Sequence, residues 1–341
     1  MTGSSLNGSA GASPSNLPYS PVAASVGSWQ NRAMWPVIPL LIGGLILLYL
    51  GGEGLVRGGS TLALRMGVTP LVVGLTVISF GTSSPEFVVS VLAAFREDSS
   101  IALGNVIGSN ICNIGLVLGL AALIRPLQVR VAVIRRETPI MLGATGLLCV
   151  LLWNARLSRV EGALLCVLLL VYVVYTVIAS RRETAGRAGR DDVERSAGLS
   201  LLTVLIGVVL LAAGAQLFVR GAVTVAEVFG VSTFLIGLTI VALGTSLPEV
   251  ATSMVAAYRG EGDLAIGNVI GSNIFNVLGI LGIAALFFGI QGQELSWVDM
   301  TVLLGFSVLM LPFLRTGFVL SRREGAVLVL FYVLYMTYLV H

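Results

Sequence analysis

Two glutamates, Glu86 and Glu249, each lie in the middle of an apolar run of the sequence. An ionised carboxylate left alone in hydrocarbon costs roughly 2.5–3.5 kcal/mol or more, so each must be protonated, paired or bound to a cation. The nearest arginines that follow, Arg96 and Arg259, are ten residues away, and no arginine lies within ten residues before either glutamate. A bound cation is therefore the favoured partner. The alternative is a pair of protonated carboxyls that serve only packing.

Each glutamate closes a short motif, GTSSPE in the first instance and GTSLPE in the second. Proline has no N–H and its ring clashes with the carbonyl four residues back, so each helix is predicted to break there and to free carbonyls in the preceding turn. The hydroxyls three and four residues before each glutamate share its helical face. Such hard oxygen donors suit Na+ or Ca2+ and are poor ligands for soft metals. The freed carbonyls are expected in 79–81 and 242–244, and the hydroxyls are those of Thr82, Ser83, Thr245 and Ser246.

A stripe of polar residues follows each motif, with members spaced by four and therefore aligned on one helical face. The asparagine and serine oxygens of this stripe either complete a coordination shell or form hydrogen bonds between helices without an ion. The second alternative weighs most for the asparagines at 105, 110, 268 and 273. The stripe consists of Asn105, Ser109 and Asn113 in the first stretch and of Asn268, Ser272 and Asn276 in the second.

These motifs and stripes belong to one duplicated stretch, residues 74–119 and 237–282, in which equivalent positions keep a constant offset without an insertion. Each copy lies within a repeat of five predicted spans, an odd number. The second copy must therefore enter the membrane from the opposite side, as in inverted-repeat transporters. This arrangement would bring Glu86 and Glu249 together near the middle of the membrane.

Composition places the chain in the membrane class. Hydrophobic residues make up 56% and charged residues 11% of the sequence, against about 25% charged in soluble domains. We predict an all-α membrane protein whose surroundings are a lipid bilayer and which has no nucleic-acid partner. Since a span needs roughly twenty apolar residues, ten are predicted, at about 37–56, 70–95, 101–124, 138–154, 158–179, 199–220, 233–258, 264–289, 298–315 and 323–340.

The spans group into two halves. We predict a disordered N-terminal tail at 1–35, a first five-helix repeat at 36–180, a cytoplasmic linker at 181–198 and a second five-helix repeat at 199–341. All the basic residues are arginines, and most of them fall in one set of alternating loops. The positive-inside rule places that set in the cytoplasm and both termini outside.

Other functional classes fit the sequence less well. The only histidine is the last residue, the three cysteines lie in predicted spans, and the aspartates near the motifs lie at span ends. These positions disfavour an intramembrane enzyme or a cofactor site. A channel usually surrounds its pore with symmetric subunits or rings of ligands, whereas one pair of buried acids favours a closed site with alternating access. A monomer is sufficient for this, and the oligomeric state stays open.

GTSSPE with GNVIGSNICN, and GTSLPE with GNVIGSNIFN, resemble the two alpha repeats of the sodium/calcium exchangers in the cation/calcium exchanger superfamily. The resemblance covers nearly the whole chain from about residue 37. It implies a secondary antiporter for Na+ and Ca2+ with clustered ion sites between spans 2, 3, 7 and 8, and with spans 1 and 6 sliding together to switch access. By motif position the implied ligands are Glu86, Thr82, Ser83, the Ser79 carbonyl, Ser109 and Asn113, with Glu249, Thr245, Ser246, the Ala242 carbonyl, Ser272 and Asn276 from the second repeat.

The sequence departs from some relatives at these motifs. Asn113 and Asn276 stand where potassium-dependent members carry aspartate, which argues against potassium dependence. Gly108 and Gly271 stand where proton-coupled members carry a glutamate, which favours Na+ over H+ and leaves H+/Ca2+ antiport as the alternative. The linker at 181–198 cannot hold the large regulatory domain of animal exchangers, so a prokaryotic inner membrane is the expected location.

Overall fold

The computed structural model describes residues 37–96, 98–184, 197–229, 242–292 and 297–340. The predicted tail at 1–35 lies outside these residues, as do most of the predicted linker and residues 230–241 of the seventh predicted span. Apolar segments of this length form helices because a helix satisfies its own backbone hydrogen bonds in lipid. The described helices are α1 Val37–Met66, α2 Pro70–Thr82, α3 Ser84–Phe95, α4 Ser99–Ile124, α5 Val133–Asn154, α6 Arg159–Thr184, α7 Ala197–Val228, α8 Ala242–Thr245, α9 Leu247–Arg259, α10 Gly262–Phe288, α11 Trp297–Arg315 and α12 Arg322–Val340.

Eight membrane crossings are supported by length and hydropathy within the described residues. Seven single helices qualify, and the bent pair α2–α3 makes an eighth. The seventh and tenth predicted spans are not among them. The seventh lies partly outside the described residues, and α12 has the charged start Arg322, Arg323 and Glu324. The membrane class is confirmed, while the number of ten spans stays a prediction.

The second span breaks at its proline, as the motif predicts. Helices α2 and α3 are bent by 51°, and Ser83 between them leaves the helical conformation at φ −80° and ψ 10°. Pro85 then occupies the first turn of α3, where no intrahelical donor is needed. Ser246 makes the same break between α8 and α9, at φ −87° and ψ 2°.

The prediction that the Ser79 carbonyl loses its partner is wrong. This carbonyl accepts a hydrogen bond from the Ser83 N–H at 3.0 Å and another from the Thr82 hydroxyl at 3.3 Å, because α2 completes its last turn before the chain bends. The carbonyl that loses its helical donor is that of Gly81, four residues before Pro85.

Two of the described helices form the centre of the molecule. Helices α10 and α4 are the most deeply buried of the candidate spans, whereas α6, α7 and α1 have the smallest buried fractions. Both central helices change from α-helical to π-helical geometry at equivalent asparagines, over Asn113–Leu118 in α4 and Asn276–Leu281 in α10. π-helical turns are often found at functional sites, and these two contain the C-terminal end of each polar stripe.

Four short strands qualify the all-α prediction. Strand β1 (Leu127–Gln128) pairs antiparallel with β4 (Val319–Leu320), and β2 (Arg156–Leu157) pairs antiparallel with β3 (Ile290–Gln291). Positions 127 and 290 are equivalent in the sequence duplication, and so are positions 157 and 320. Each repeat therefore contributes one strand to each pair, and the pairs obey the same offset as the duplicated motifs.

Helices α1 and α7 pack against each other through glycines. A Cβ at Gly51 would lie 2.8 Å from the carbonyl oxygen of Gly207, and a Cβ at Gly214 would lie 2.9 Å from that of Gly44. Any larger side chain would separate the two backbones, so glycine is needed for this close approach. These contacts pack the two helices closely together, and the sliding of the pair stays a prediction.

Candidate ion-binding site

The two glutamates are brought together across the repeats. The Ser83 hydroxyl of the first repeat donates a hydrogen bond to Oε1 of Glu249 at 2.7 Å, and the Ser246 hydroxyl of the second donates to Oε1 of Glu86 at 3.1 Å. Both carboxyl groups are fully buried. Each glutamate lies in the first turn of the helix that starts after its proline break, where the helix dipole favours a negative charge.

Two asparagines orient the stripe residues next to the glutamates. The Asn110 side-chain amide donates to the Asn273 backbone carbonyl at 3.3 Å, and the Asn273 side-chain amide donates to the Asn110 backbone carbonyl at 3.4 Å. Their side-chain oxygens then accept from the amide groups of Asn276 at 2.9 Å and Asn113 at 3.1 Å. Because the nitrogen of each amide is used in this way, the oxygens of Asn113 and Asn276 are available to a ligand.

The asparagines at the start of each stripe have a different task. Asn105 donates to the Ser90 hydroxyl at 2.8 Å, and Asn268 donates to the Ser253 hydroxyl at 3.0 Å. The Thr82 hydroxyl also donates to the Asn268 oxygen, at 3.1 Å. These contacts match the alternative in which such asparagines form hydrogen bonds between helices.

Five buried oxygens at this site have no hydrogen-bond partner among the described residues. One carboxylate oxygen of each glutamate is unpaired, and so are the side-chain oxygens of the asparagines at the C-terminal end of each stripe and one serine hydroxyl. Leaving a buried polar atom unpaired costs roughly 1–3 kcal/mol, and more for a charged group, so a bound species that accepts electron pairs would stabilise these oxygens. The atoms are Glu86 Oε2, Glu249 Oε2, Asn113 Oδ1, Asn276 Oδ1 and Ser272 Oγ.

A cation is the species that suits this set. The ion pairs of the described residues involve Glu53, Glu137, Glu183 and Asp263 rather than the two site glutamates. Two carboxylates close together repel each other unless a positive charge lies between them. Carboxylate, amide and hydroxyl oxygens are ligands for hard cations.

The remaining predicted ligands lie around the same two carboxyls. Thr245 is next to the Glu86 carboxyl, and Thr82 and Ser272 are next to that of Glu249. Ser109 is buried in α4, one turn before Asn113. Ser79 is buried in α2, and its own hydroxyl donates to the Thr76 carbonyl at 3.1 Å. Ala242 is the first residue of α8, and the role of its carbonyl stays a prediction.

Sequence reasoning missed three polar residues near the site. Ser90 and Ser253 accept the bonds from Asn105 and Asn268, and their equivalence in the duplication was a signal that could have identified them. Thr252 is buried three residues after Glu249, and its hydroxyl has no partner among the described residues. Its counterpart in the first repeat is Val89, so the duplication gave no signal for it.

Comparison with known proteins gives the family. The sodium/calcium exchanger protein family matches residues 37–178 and 199–341. The inner membrane protein YrbG of Escherichia coli is 39% identical over 72% of this chain and 78% of its own length, and the sodium/calcium exchanger MaX1 of Methanosarcina acetivorans is 33% identical over 88% and 97%. A solved structure of the sodium-calcium exchanger NCX_Mj, soaked with Na+ and Sr2+, superposes with a TM-score of 0.79 at 34% identity, covering 89% of this chain and 98% of that one. The chain is therefore an integral membrane protein that belongs to the sodium/calcium exchanger family.

Proposed function

We propose that this protein exchanges Na+ for Ca2+ by alternating access at the site between Glu86 and Glu249. The observation that carries the proposal is the set of five unpaired oxygens contributed by both repeats. Two carboxylates with neutral oxygens around them can hold one Ca2+, or several Na+ in its place. Both ions compete for the same oxygens, so loading one releases the other.

Exchange requires that the site opens to one side at a time. In the proposed inverted repeat, the first and second halves enter the membrane from opposite sides. The helix pair α1–α7 is joined through backbone contacts at its glycines and can move as a unit relative to the central helices α4 and α10. We propose the Arg259 end of α9 as the cytoplasmic side and an inner membrane as the location, in keeping with the arginine distribution and with the inner membrane protein YrbG.

The glycines at 108 and 271 favour Na+ over H+ as the coupling ion; packing excludes a side chain only at Gly271, since a Cβ at Gly108 would meet no described atom within 4 Å. Proton-coupled relatives are expected to carry a glutamate at these positions. A Cβ at Gly271 would lie 2.5 Å from the Leu75 carbonyl oxygen and 2.7 Å from the Ser79 hydroxyl. No side chain fits this position without separating α2 from α10, so a third carboxyl could not be placed here in this arrangement.

Vesicles containing the purified protein provide the test. Vesicles loaded with Na+ and diluted into Na+-free buffer should accumulate radiolabelled Ca2+, and an equal K+ gradient should produce no uptake. Ca2+ uptake driven by a pH gradient and indifferent to Na+ would replace this proposal with H+/Ca2+ antiport. Unitary currents in a planar bilayer would replace it with a channel.

A further inference from the structure

An ion pair joins α1 to the end of α9. Arg259, the last residue of α9, contacts both carboxylate oxygens of Glu53 through its Nε and a terminal nitrogen. Arg57, one turn further along α1, contacts the same carboxylate at 2.6 Å. The Glu53 side chain is only 14% exposed, so water screens this contact less than it would screen an ion pair on an open surface.

The ion pair borders a packed interface between the same two helices. A Cβ at Gly52 would lie 3.2 Å from the Ala251 carbonyl oxygen and 3.2 Å from the Val255 side chain. Leu55 and Val56 of α1 are also fully buried. Helix α1 therefore covers α9 from Ala251 to the arginine at its end, and Glu53 lies on the part of α1 that forms this cover.

The equivalent positions of the other repeat cannot form this ion pair. The counterpart of Glu53 is Gln216 on α7, and the counterpart of Arg259 is Arg96 at the end of α3. Both counterparts are exposed. Arg57 does have a charged counterpart, Arg220, so the repeats differ in the one acid that would join the two helices.

We propose that Glu53 is a positioning residue that favours the conformation closed at the Arg259 end of α9. The proposal rests on the alternating-access function described above. If the opposite conformation is the image of this one under the repeat, α7 covers α3 there and Gln216 meets Arg96. That neutral contact lacks the charge attraction that Glu53 provides here. The exchanger would then have a built-in preference for the side on which its empty site opens.

Glu53 should change the apparent Ca2+ affinity in opposite directions on the two faces of the protein, the one at Arg259 and the one at Arg96. The apparent Ca2+ affinity on one side of the membrane is proportional to the fraction of molecules whose site is open to that side. Double-mutant cycles on exposed ion pairs give about 0.2–1 kcal/mol, which corresponds to a population change of up to about fivefold. Removing Glu53 should therefore lower the half-saturating Ca2+ concentration at the Arg259 face and raise it at the Arg96 face.

The test compares the two faces in right-side-out and inside-out membrane vesicles. The measured quantity is the ratio of the half-saturating Ca2+ concentration at the Arg259 face to that at the Arg96 face. Glu53→Gln and Arg259→Gln should each lower this ratio about two- to fivefold. Glu53→Gln combined with Gln216→Glu, which moves the acid to the other helix, should lower it again by a similar factor. Gln216→Glu alone should give a ratio between the wild type and this double variant.

A distance measurement separates this proposal from the exchange function. Spin labels at Tyr49→Cys on α1 and Tyr258→Cys on α9, in a protein without its native cysteines, report the α1–α9 distance without any transport. Glu53→Gln should decrease the population at the distance of this structure, and restoring Glu53 should recover it. Wild-type vesicles that transport no Ca2+ would reject the exchange function alone. An unchanged distance population, or a double variant with the same ratio as Glu53→Gln, would overturn the role of Glu53.

Discussion

Helices α3 and α9 follow the same proline motif but have different surroundings. Leu92 on α3 is 49% exposed, whereas its counterpart Val255 on α9 is 8% exposed. One turn closer to the glutamates, Val89 is 37% exposed and its counterpart Thr252 is 1% exposed. Helix α1 covers α9 through the contact of Gly52 with Ala251, whereas Val89 and Leu92 on the corresponding face of α3 are exposed among the described residues.

The two repeats contribute similar residues to the candidate ion site but differ in how the helices next to it are covered. The oxygens around the two glutamates come from both repeats in reciprocal pairs, such as Ser83 with Glu249 and Ser246 with Glu86. Helices α3 and α9, which follow the proline motifs, are covered to different extents. Changes in the site should therefore have equal effects in either repeat, and changes in the cover should not.

The largest effect is expected at the two carboxylates. Glu86→Gln and Glu249→Gln each remove a charge that a divalent cation needs in a site with no other acid among the implied ligands, and a buried ion without its counter-charge is very unfavourable. Each variant should reduce Ca2+ uptake about 100-fold or more, as measured in Na+-loaded vesicles.

Glu183→Gln is the matched control because this glutamate is 47% exposed and forms an ion pair with Arg136 at the protein surface. It should transport like the wild type. Near-normal uptake in either site variant would reject the site. A large difference between Glu86→Gln and Glu249→Gln would contradict the equivalence of the two repeats.

The orienting asparagines should have the next largest effect. Asn110→Ala and Asn273→Ala remove the groups that hold the amides of Asn276 and Asn113. Outer-shell partners of metal ligands typically contribute about 10–100-fold in affinity, so each variant should weaken the apparent Ca2+ affinity by about that factor. Titration of uptake against Ca2+ measures it.

Asn154→Ala provides the comparison for a surface asparagine, which here only caps the following turn. It should leave the apparent Ca2+ affinity unchanged. An affinity that is unchanged in Asn273→Ala would mean that the Asn113 oxygen is not held by this network.

The clustering of the candidate site residues was predictable because the same motif occurs twice in the sequence. An acid in an apolar segment needs a partner, and the constant offset between the two copies showed which positions act together. The proline breaks followed from local sterics at Pro85 and Pro248. Thr252 could not be found in this way because its counterpart is a valine.

The cover of α9 could not be predicted from the sequence. It depends on how α1 packs against the second half of the chain, and the repeats are too similar for local sequence to decide this. Glu53 on α1 and Gln216 on α7 differ only in a carboxylate and an amide. The consequence of this difference is visible only in the structure, where Arg259 contacts Glu53. The expectation that the Ser79 carbonyl is freed was wrong because hydrogen bonding at the end of α2 compensates for the break, and its role as an ion ligand stays a prediction.

A labelling experiment tests the difference in cover. In a protein without native cysteines, Leu92→Cys should react with N-ethylmaleimide about 10-fold faster than Val255→Cys, because burial protects a thiol in proportion to the rarity of local opening. Reaction rates followed by mass spectrometry measure this. Equal rates would mean that α1 does not cover α9 in solution.

The smallest effect is expected where α2 packs on α10. Gly271→Ala would place a Cβ 2.6 Å from the Leu75 Cα and 2.5 Å from its carbonyl oxygen, so the backbones must separate. Overpacking of this kind typically costs about 1–3 kcal/mol, and the thermal unfolding midpoint in detergent should fall by a few degrees. Gly143→Ala is the control, since a Cβ there meets no described atom within 4 Å and alanine favours the helix by up to about 1 kcal/mol. A midpoint for Gly271→Ala equal to that of Gly143→Ala would show that α2 approaches α10 less closely than this and that position 271 has room for a larger side chain.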